Sequence, residues 1–226
     1  MSELRAHFLA RIAEAGPMSL ADYMAVCLMH PEFGYYATRD PFGTRGDFIT
    51  APEISQMFGE LLGLCLAQVW LDQGRPARFL LAELGPGRGT LMADVLRATR
   101  GVPGFHEAAE VHLVEGSAVL RAAQRRAIAG DVIWHERVES LPEGPLYLLA
   151  NEFFDALPIR QFQRSGEGWR ERVVGLSDDR LTLGLGGPVA PPALAERLGD
   201  TREGDIVETC GPGAAVMAEI GARIAG

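Results

Sequence analysis

Cysteine is scarce in this chain: three residues in 226, at positions 27, 65 and 210, odd in number and far apart. Such spacing builds neither a disulfide framework nor a zinc site, and it points to a reducing compartment. Cys27 and Cys65 lie in apolar helical stretches, where buried thiols are expected. Histidine is also sparse. His7, His30, His106, His112 and His135 show no ligand spacing, so no metal is expected. Basic charge is short, with 21 Lys and Arg against 30 Asp and Glu, a formal net charge of -9. Affinity for nucleic acid comes mainly from neutralising phosphates, so this balance argues against a nucleic-acid partner and more easily admits a neutral or basic protein. Long apolar runs are missing too. Leu61 to Leu71 is the longest and is interrupted by Gln68, too short to insert in a bilayer. The N-terminus carries Glu3 and Glu14 without the apolar stretch of a signal peptide, and a cytoplasmic location is expected.

What is present centres on Phe79 to Leu91. An apolar run ends at Glu83, and Gly85, Gly87 and Gly89 alternate with other residues before Leu91, Val95 and Leu96 recur at helical spacing. That is a buried strand, a tight turn and a helix start, the βα unit on which nucleotide-like ligands sit. A dinucleotide fingerprint, G-x-G-x-x-G/A, is spoiled by Thr90, and a P-loop would need a lysine after Gly89. The remaining pattern, E-x-G-x-G-x-G, resembles the first motif of S-adenosylmethionine-dependent methyltransferases. That cofactor has no phosphates but carries a sulfonium and an ammonium group, so a carboxylate such as Glu83 at the strand end suits it, directly or through water.

Strands and helices then alternate. Strands are expected at 111–114, 132–134 and 146–150, with helices at 91–99 and, capped by Ser117, through Ile128. Right-handed crossovers of this length make a parallel sheet, with the ligand outside the carboxyl ends of its strands. Glu83, Glu115, His135 and Asn151 stand at or just past those ends. Glu115, 26 residues after Gly89, suits both hydroxyls of a ribose, which fits NAD as well as S-adenosylmethionine.

Upstream, helices are expected over 3–14, with Leu4, Phe8, Leu9 and Ile12 inward, and from a Ser19 cap to near Pro31. A long loop, 32–49, carries aromatics, glycines and Gly46-Asp47, and is expected to fold over the ligand as a lid. Thr50 and Glu53 form a T-x-x-E capping box opening a long helix with Ile54, Phe58, Leu61, Leu62, Cys65 and Val69 inward. The start of that helix is expected to line the cofactor pocket. Downstream, 159–164 and 169–174 read as a β-hairpin, 181–183 as a strand, 187–192 as a Pro/Gly linker, 204–208 as a strand and 212–224 as a helix.

Three blocks in this order, Gly46 to Glu60, Glu83 to Gly89 and Asn151 to Pro158, closely resemble the MidA family of S-adenosylmethionine-dependent methyltransferases of bacteria and mitochondria. The resemblance runs over essentially the whole chain. It implies a Rossmann-like α/β class I methyltransferase sheet, mainly parallel, with an N-terminal helical extension and a β-hairpin insertion. Family members run on beyond this point with further strands, so the sheet here would lack its final strands. The expected division is 1–75, helical with the covering loop; 76–158, the Rossmann-like core; and 159–226, the insertion and the start of the C-terminal part. The mitochondrial members imply arginine methylation of a protein, a core subunit of respiratory complex I, and a mitochondrial-matrix location if the source is eukaryotic. Gly46, Asp47, Thr50, Glu53, Glu83, Gly85, Gly87, Gly89, Glu115 and Asn151 are assigned to the cofactor. Glu152 and Asp155 are assigned to the guanidinium, with Phe153 and Phe154 walling a channel. Two rival classes stand beside this: a non-catalytic methyltransferase-like assembly factor, and an NAD-dependent oxidoreductase, which Thr90 disfavours.

Overall fold

Phe79–Leu84 (β2) is buried along its whole length, and its alternate side chains serve two different cores. Phe79 and Leu81 pack with Ala67, Trp70, Leu91 and Val95, while Ala82 and Leu84 pack with Val114, Leu141 and Ile220. A strand covered on both faces needs an unbroken apolar run, which is what the sequence provides. The computed structural model describes residues 3–35 and 50–224. Gly46, Asp47 and nearly all of the expected lid therefore lie outside the described residues.

Two compact units can be separated, and neither is continuous in sequence: one comprises 36–156 with 215–226, the other 1–35 with 157–214. Residues 1–75 and 159–226 are thus each divided between units.

In the first unit, Ala109–Val114 (β3), Ile133–His135 (β4) and Leu146–Leu149 (β5) join β2 in a parallel sheet of order β4-β3-β2-β5. The register sets Leu84 beside Val114 and Val114 beside His135, so the carboxyl ends lie together. The helix Thr90–Thr99 (α5) follows β2 and Ala118–Ala127 (α7) follows β3; a single turn, Phe105–Ala108 (α6), leads into β3.

The long helix departs from expectation in two ways. The segment Ala51–Ile54 (α3) is a separate turn; the long helix is Gln56–Asp72 (α4), capped by Ser55, whose hydroxyl accepts from the Met57 N–H. Thr50 makes no side-chain cap bond, so the capping box does not form. The inward face is also different. Of the residues expected inward, Phe58 and Leu62 pack against the core, whereas Ile54, Leu61, Val69 and Cys65 point outward and Gly59, Gly63, Ala67 and Trp70 are the buried positions. The helix is apolar nearly all round, so periodicity could not choose a face. Close approach chose it: a Cβ on Gly59 would lie 2.6 Å from Asp94 Cβ, and one on Gly63 2.9 Å from Val95 Cα.

In the second unit, Glu3–Ala15 (α1) and Leu20–Met29 (α2, capped by Ser19) surround Phe8, Ile12, Met18 and Val174. The hairpin Arg160–Ser165 (β6) and Gly168–Ser177 (β7) is present, and it is the centre of a larger antiparallel sheet. Met18–Ser19 (β1) pairs with β7, Ile206–Thr209 (β9) with β6, and Arg180–Val189 (β8) with the other edge of β7. Residues 187–189, expected as linker, belong to β8. The turn into it holds Asp178 and Asp179 at φ 49° and 58°, the doubly left-handed geometry of a tight hairpin. Gly211–Ile224 (α8) closes the chain's described part; from residue 215 onward it belongs to the first unit, where Ile220 packs with Ala82 and Leu84.

Candidate functional site

The turn from β2 to α5 is left-handed at all three glycines, with φ of 59° at Gly85, 54° at Gly87 and 85° at Gly89. Two of them are required by the protein's own packing. A Cβ on Gly85 would lie 2.8 Å from the Phe153 ring, and one on Gly89 would lie 3.1 and 3.2 Å from the side chains of Ile128 and Gln124. The turn is fixed at both ends: the Gly85 N–H donates to the Val114 carbonyl at 3.0 Å, and that of Gly89 to the Pro86 carbonyl at 2.8 Å.

Glu83 lies beneath this turn, 3 % exposed. α5 begins at Gly89 without a side-chain cap, and the Glu83 carboxyl accepts from the Met92 N–H, one of the donors a helix start leaves free. Its Oε2 has no hydrogen-bond partner among the described residues. Burial pushes its pKa up to about 8, only partly opposed by the Met92 N–H.

Glu115 follows β3 directly. Its Oε1 accepts from the Ser117 N–H at 2.7 Å and its Oε2 from Gln124 Nε2 at 3.4 Å, while Arg121 donates to its main-chain carbonyl at 2.7 Å. Burial raises its pKa, and the Ser117 N–H, Gln124 and Arg121 pull it back toward the ionised form. Glu53 has a role other than capping: it accepts from Thr90 Oγ1 at 2.6 Å and stands 3.9 Å from the Arg88 guanidinium, tying α3 to the start of α5. A pocket there is lined by Glu53, Arg88, Thr90, Ala123, Arg126 and Ala127.

The segment after β5 has a different character. Glu152 adopts φ 51°, a left-handed conformation costly for a non-glycine residue, of the kind that concentrates at functional sites. Glu152 and Asp155 are exposed and form no hydrogen bond or ion pair among the described residues; Asn151 is half-buried. Phe153 and Phe154 are half-buried and pack against the core that contains Ala82 and Leu84. Phe153 also fills the space beside Gly85 and so connects this segment to the glycine turn.

Two features escaped the sequence reading. Gln124 is fully buried and bonds Gly87, Glu115 and Trp134. Its signal was a lone polar residue four positions from Leu120 and from Ile128, on the apolar face of its helix. His112 and His135 form a pair, Nδ1 to Nε2 at 2.8 Å, with both pKa values lowered, chiefly by burial. They come from adjacent strands, which periodicity within one strand cannot reveal.

Comparison with known proteins gives concordant results. A family model described as a putative S-adenosyl-L-methionine-dependent methyltransferase matches residues 61–226. Similar proteins include the mouse mitochondrial protein arginine methyltransferase NDUFAF7, 38% identical over 97% of this chain and 56% of its own length. The fruit-fly homolog is 40% identical over 74% of this chain and 44% of its own length. A crystal structure of a COG1565 superfamily member from Burkholderia thailandensis, bound to S-adenosyl-homocysteine, superposes with a TM-score of 0.83. It is 32% identical, over 97% of this chain and 59% of that one. The chain therefore spans somewhat more than half the length of the mouse relative and of the Burkholderia protein.

Proposed function

This chain belongs to the S-adenosyl-L-methionine-dependent methyltransferase family whose model it matches, and from that premise we propose that it binds this cofactor and serves methyl transfer to arginine in a protein. The observation that carries the proposal is the left-handed glycine turn after β2 lying beside the Glu115 carboxyl after β3. The residues fit the group. Glu83 offers a buried carboxyl oxygen without a partner, which suits a cationic ligand, and no phosphate-binding lysine follows the turn. When bound, S-adenosylmethionine supplies an electrophilic methyl group on a sulfonium.

The chain's own residues have three tasks. Glu115 accepts the ribose hydroxyls, and the turn from Gly85 to Gly89 brings main chain rather than side chains to the ligand. Glu83 keeps a carboxyl beneath the turn, held largely protonated by burial, whose ionised form a cationic ligand favours. Glu152 and Asp155, exposed and uncommitted, grip the acceptor guanidinium, which is always protonated and is held best by paired carboxylate contacts. Gly46, Asp47, Thr50, Glu53 and Asn151 complete the cofactor side in this reading. The acceptor protein is proposed to be a complex I core subunit, and the location the bacterial cytoplasm, or the mitochondrial matrix in a eukaryote. Among the described residues no helix is long and apolar enough to cross a membrane.

The test is a split phenotype. Asp155→Asn should bind S-adenosylmethionine as the unsubstituted protein does yet lose transfer to the subunit, followed by mass spectrometry. Such a split belongs to groups that act on the acceptor alone. Methyl groups on lysine, or wild-type rates in both Asp155→Asn and Glu152→Gln, would refute the assignment.

A further inference from the structure

Gln124 is a neutral amide, 0 % exposed, whose three partners come from the turn after β2, the residue after β3 and the strand β4. Its Nε2 donates to the Gly87 carbonyl at 2.7 Å and, over a longer 3.4 Å contact, to Glu115 Oε2. Its Oε1 accepts from Trp134 Nε1 at 2.8 Å. An indole N–H only donates, so it must face the amide oxygen, and this leaves the NH₂ group turned toward Gly87 and Glu115. Trp134 is in turn held on its ring face by the Arg125 guanidinium, 4.6 Å from the ring centroid. The backbone of Gln124 is equally constrained, with its Cα 3.3 Å from where a Gly89 Cβ would stand. The amide thus has one orientation, one location, and two acceptors in front of it.

We infer that Gln124 is a positioning residue, oriented by Trp134, that aims the Glu115 carboxylate and holds the Gly87 peptide so that the site recognises ribose hydroxyls. The inference rests on the reading that Glu115 binds the ribose. Gln124 itself touches no ligand; it acts through the carboxylate. Two donors on one nitrogen hold a glycine carbonyl and a carboxylate oxygen at a set separation, so the strand-end acid and the glycine turn move as one body. Without the amide, the Glu115 carboxyl keeps only main-chain N–H donors, those of Ser117 and Gly116, and loses the side chain that orients its second oxygen.

The experiment measures affinities of the protein for S-adenosylhomocysteine and for its 2′-deoxy and 3′-deoxy analogues by calorimetry, in the unsubstituted protein, Gln124→Met, Trp134→Phe and Glu115→Gln. The readout is the ratio of analogue to parent Kd. A variant that only loosens the fold lowers the binding-competent fraction, which divides every affinity equally and cancels in the ratio. The unsubstituted protein is expected to discriminate against at least one deoxy analogue by about tenfold or more, the scale of a charged hydrogen bond. Gln124→Met should bring that ratio close to the Glu115→Gln value. Trp134→Phe, which keeps a large ring but removes the N–H that orients the amide, should fall between. Undiminished discrimination in Gln124→Met would overturn the role of Gln124. An unsubstituted protein that does not bind S-adenosylhomocysteine, or binds it without discriminating, would instead overturn the cofactor and ribose reading on which it rests. Should Gln124→Met not fold, a Trp134→Phe ratio equal to that of the unsubstituted protein is the overturning result.

Discussion

The acids of this molecule fall into two groups that differ in almost every physical respect. Glu83, buried, and Glu115, half-buried, stand at the ends of adjacent strands, bonded to main-chain N–H groups and raised in pKa by burial. Glu152 and Asp155, a few residues beyond the neighbouring strand β5, are exposed, make no polar contact among the described residues, and include a residue held at φ 51°. A site that receives the same small molecule at every turnover gains from groups fixed in advance, because reorganisation then costs little when the ligand arrives. A site for a side chain of another protein is completed only when that protein docks. The difference supports the proposed division, with the first group on the cofactor side and the second on the acceptor side.

The largest effect is expected where the fixed side is most crowded. Gly89→Ala places a side chain at φ 85° and within 3.1 Å of Ile128 Cδ1. Left-handed strain and overpacking together should cost about 2–4 kcal/mol, and denaturant unfolding measures it; a loss under about 0.5 kcal/mol, the scale of an ordinary surface change, would mean that the turn is not tightly packed. Next comes Glu83. Its folded pKa of about 8 lies above its ordinary 4.5, so its contribution favours the folded state below pH 4.5 and is lost as pH rises toward 8. Thermal melts of the ligand-free protein should therefore fall across that window relative to Glu83→Gln. Parallel curves for the two proteins would show Glu83 to be solvated. The smallest effect belongs to the open side: Glu152→Gln and Asp155→Asn should shift unfolding free energy by less than about 0.5 kcal/mol, and a larger loss in either would make that acid a structural cap.

The parallel half was legible in the sequence because its signals are local. The run ending at Glu83, the alternating glycines and the Ser117 cap each specify geometry within a few residues, and the strands at 79–84, 109–114 and 146–149 follow. The face of α4 was not legible. Ile54, Leu61 and Val69 are as apolar as Trp70, and only the fit of Gly59 and Gly63 against α5 separates them. The extent of the antiparallel sheet was also hidden, since Met18–Ser19 and Ile206–Thr209 pair with β7 and β6 across more than 150 and about 45 residues of chain. At the site, residue types were readable but bonding was not. Glu53 carried a capping signature and instead bonds Thr90, and Gln124 carried no motif yet links the turn to Glu115.

The claim that most of this depends on is that the glycine turn and Glu115 hold S-adenosylmethionine. Calorimetric titration of the protein with S-adenosylhomocysteine and, separately, with NAD addresses it directly, with Glu115→Ala alongside. The account predicts one S-adenosylhomocysteine site per chain, no NAD site, and a loss of about 1–3 kcal/mol of binding free energy in Glu115→Ala, the scale for a charged hydrogen bond removed. Binding of NAD in its place, or unchanged affinity in Glu115→Ala, would contradict it.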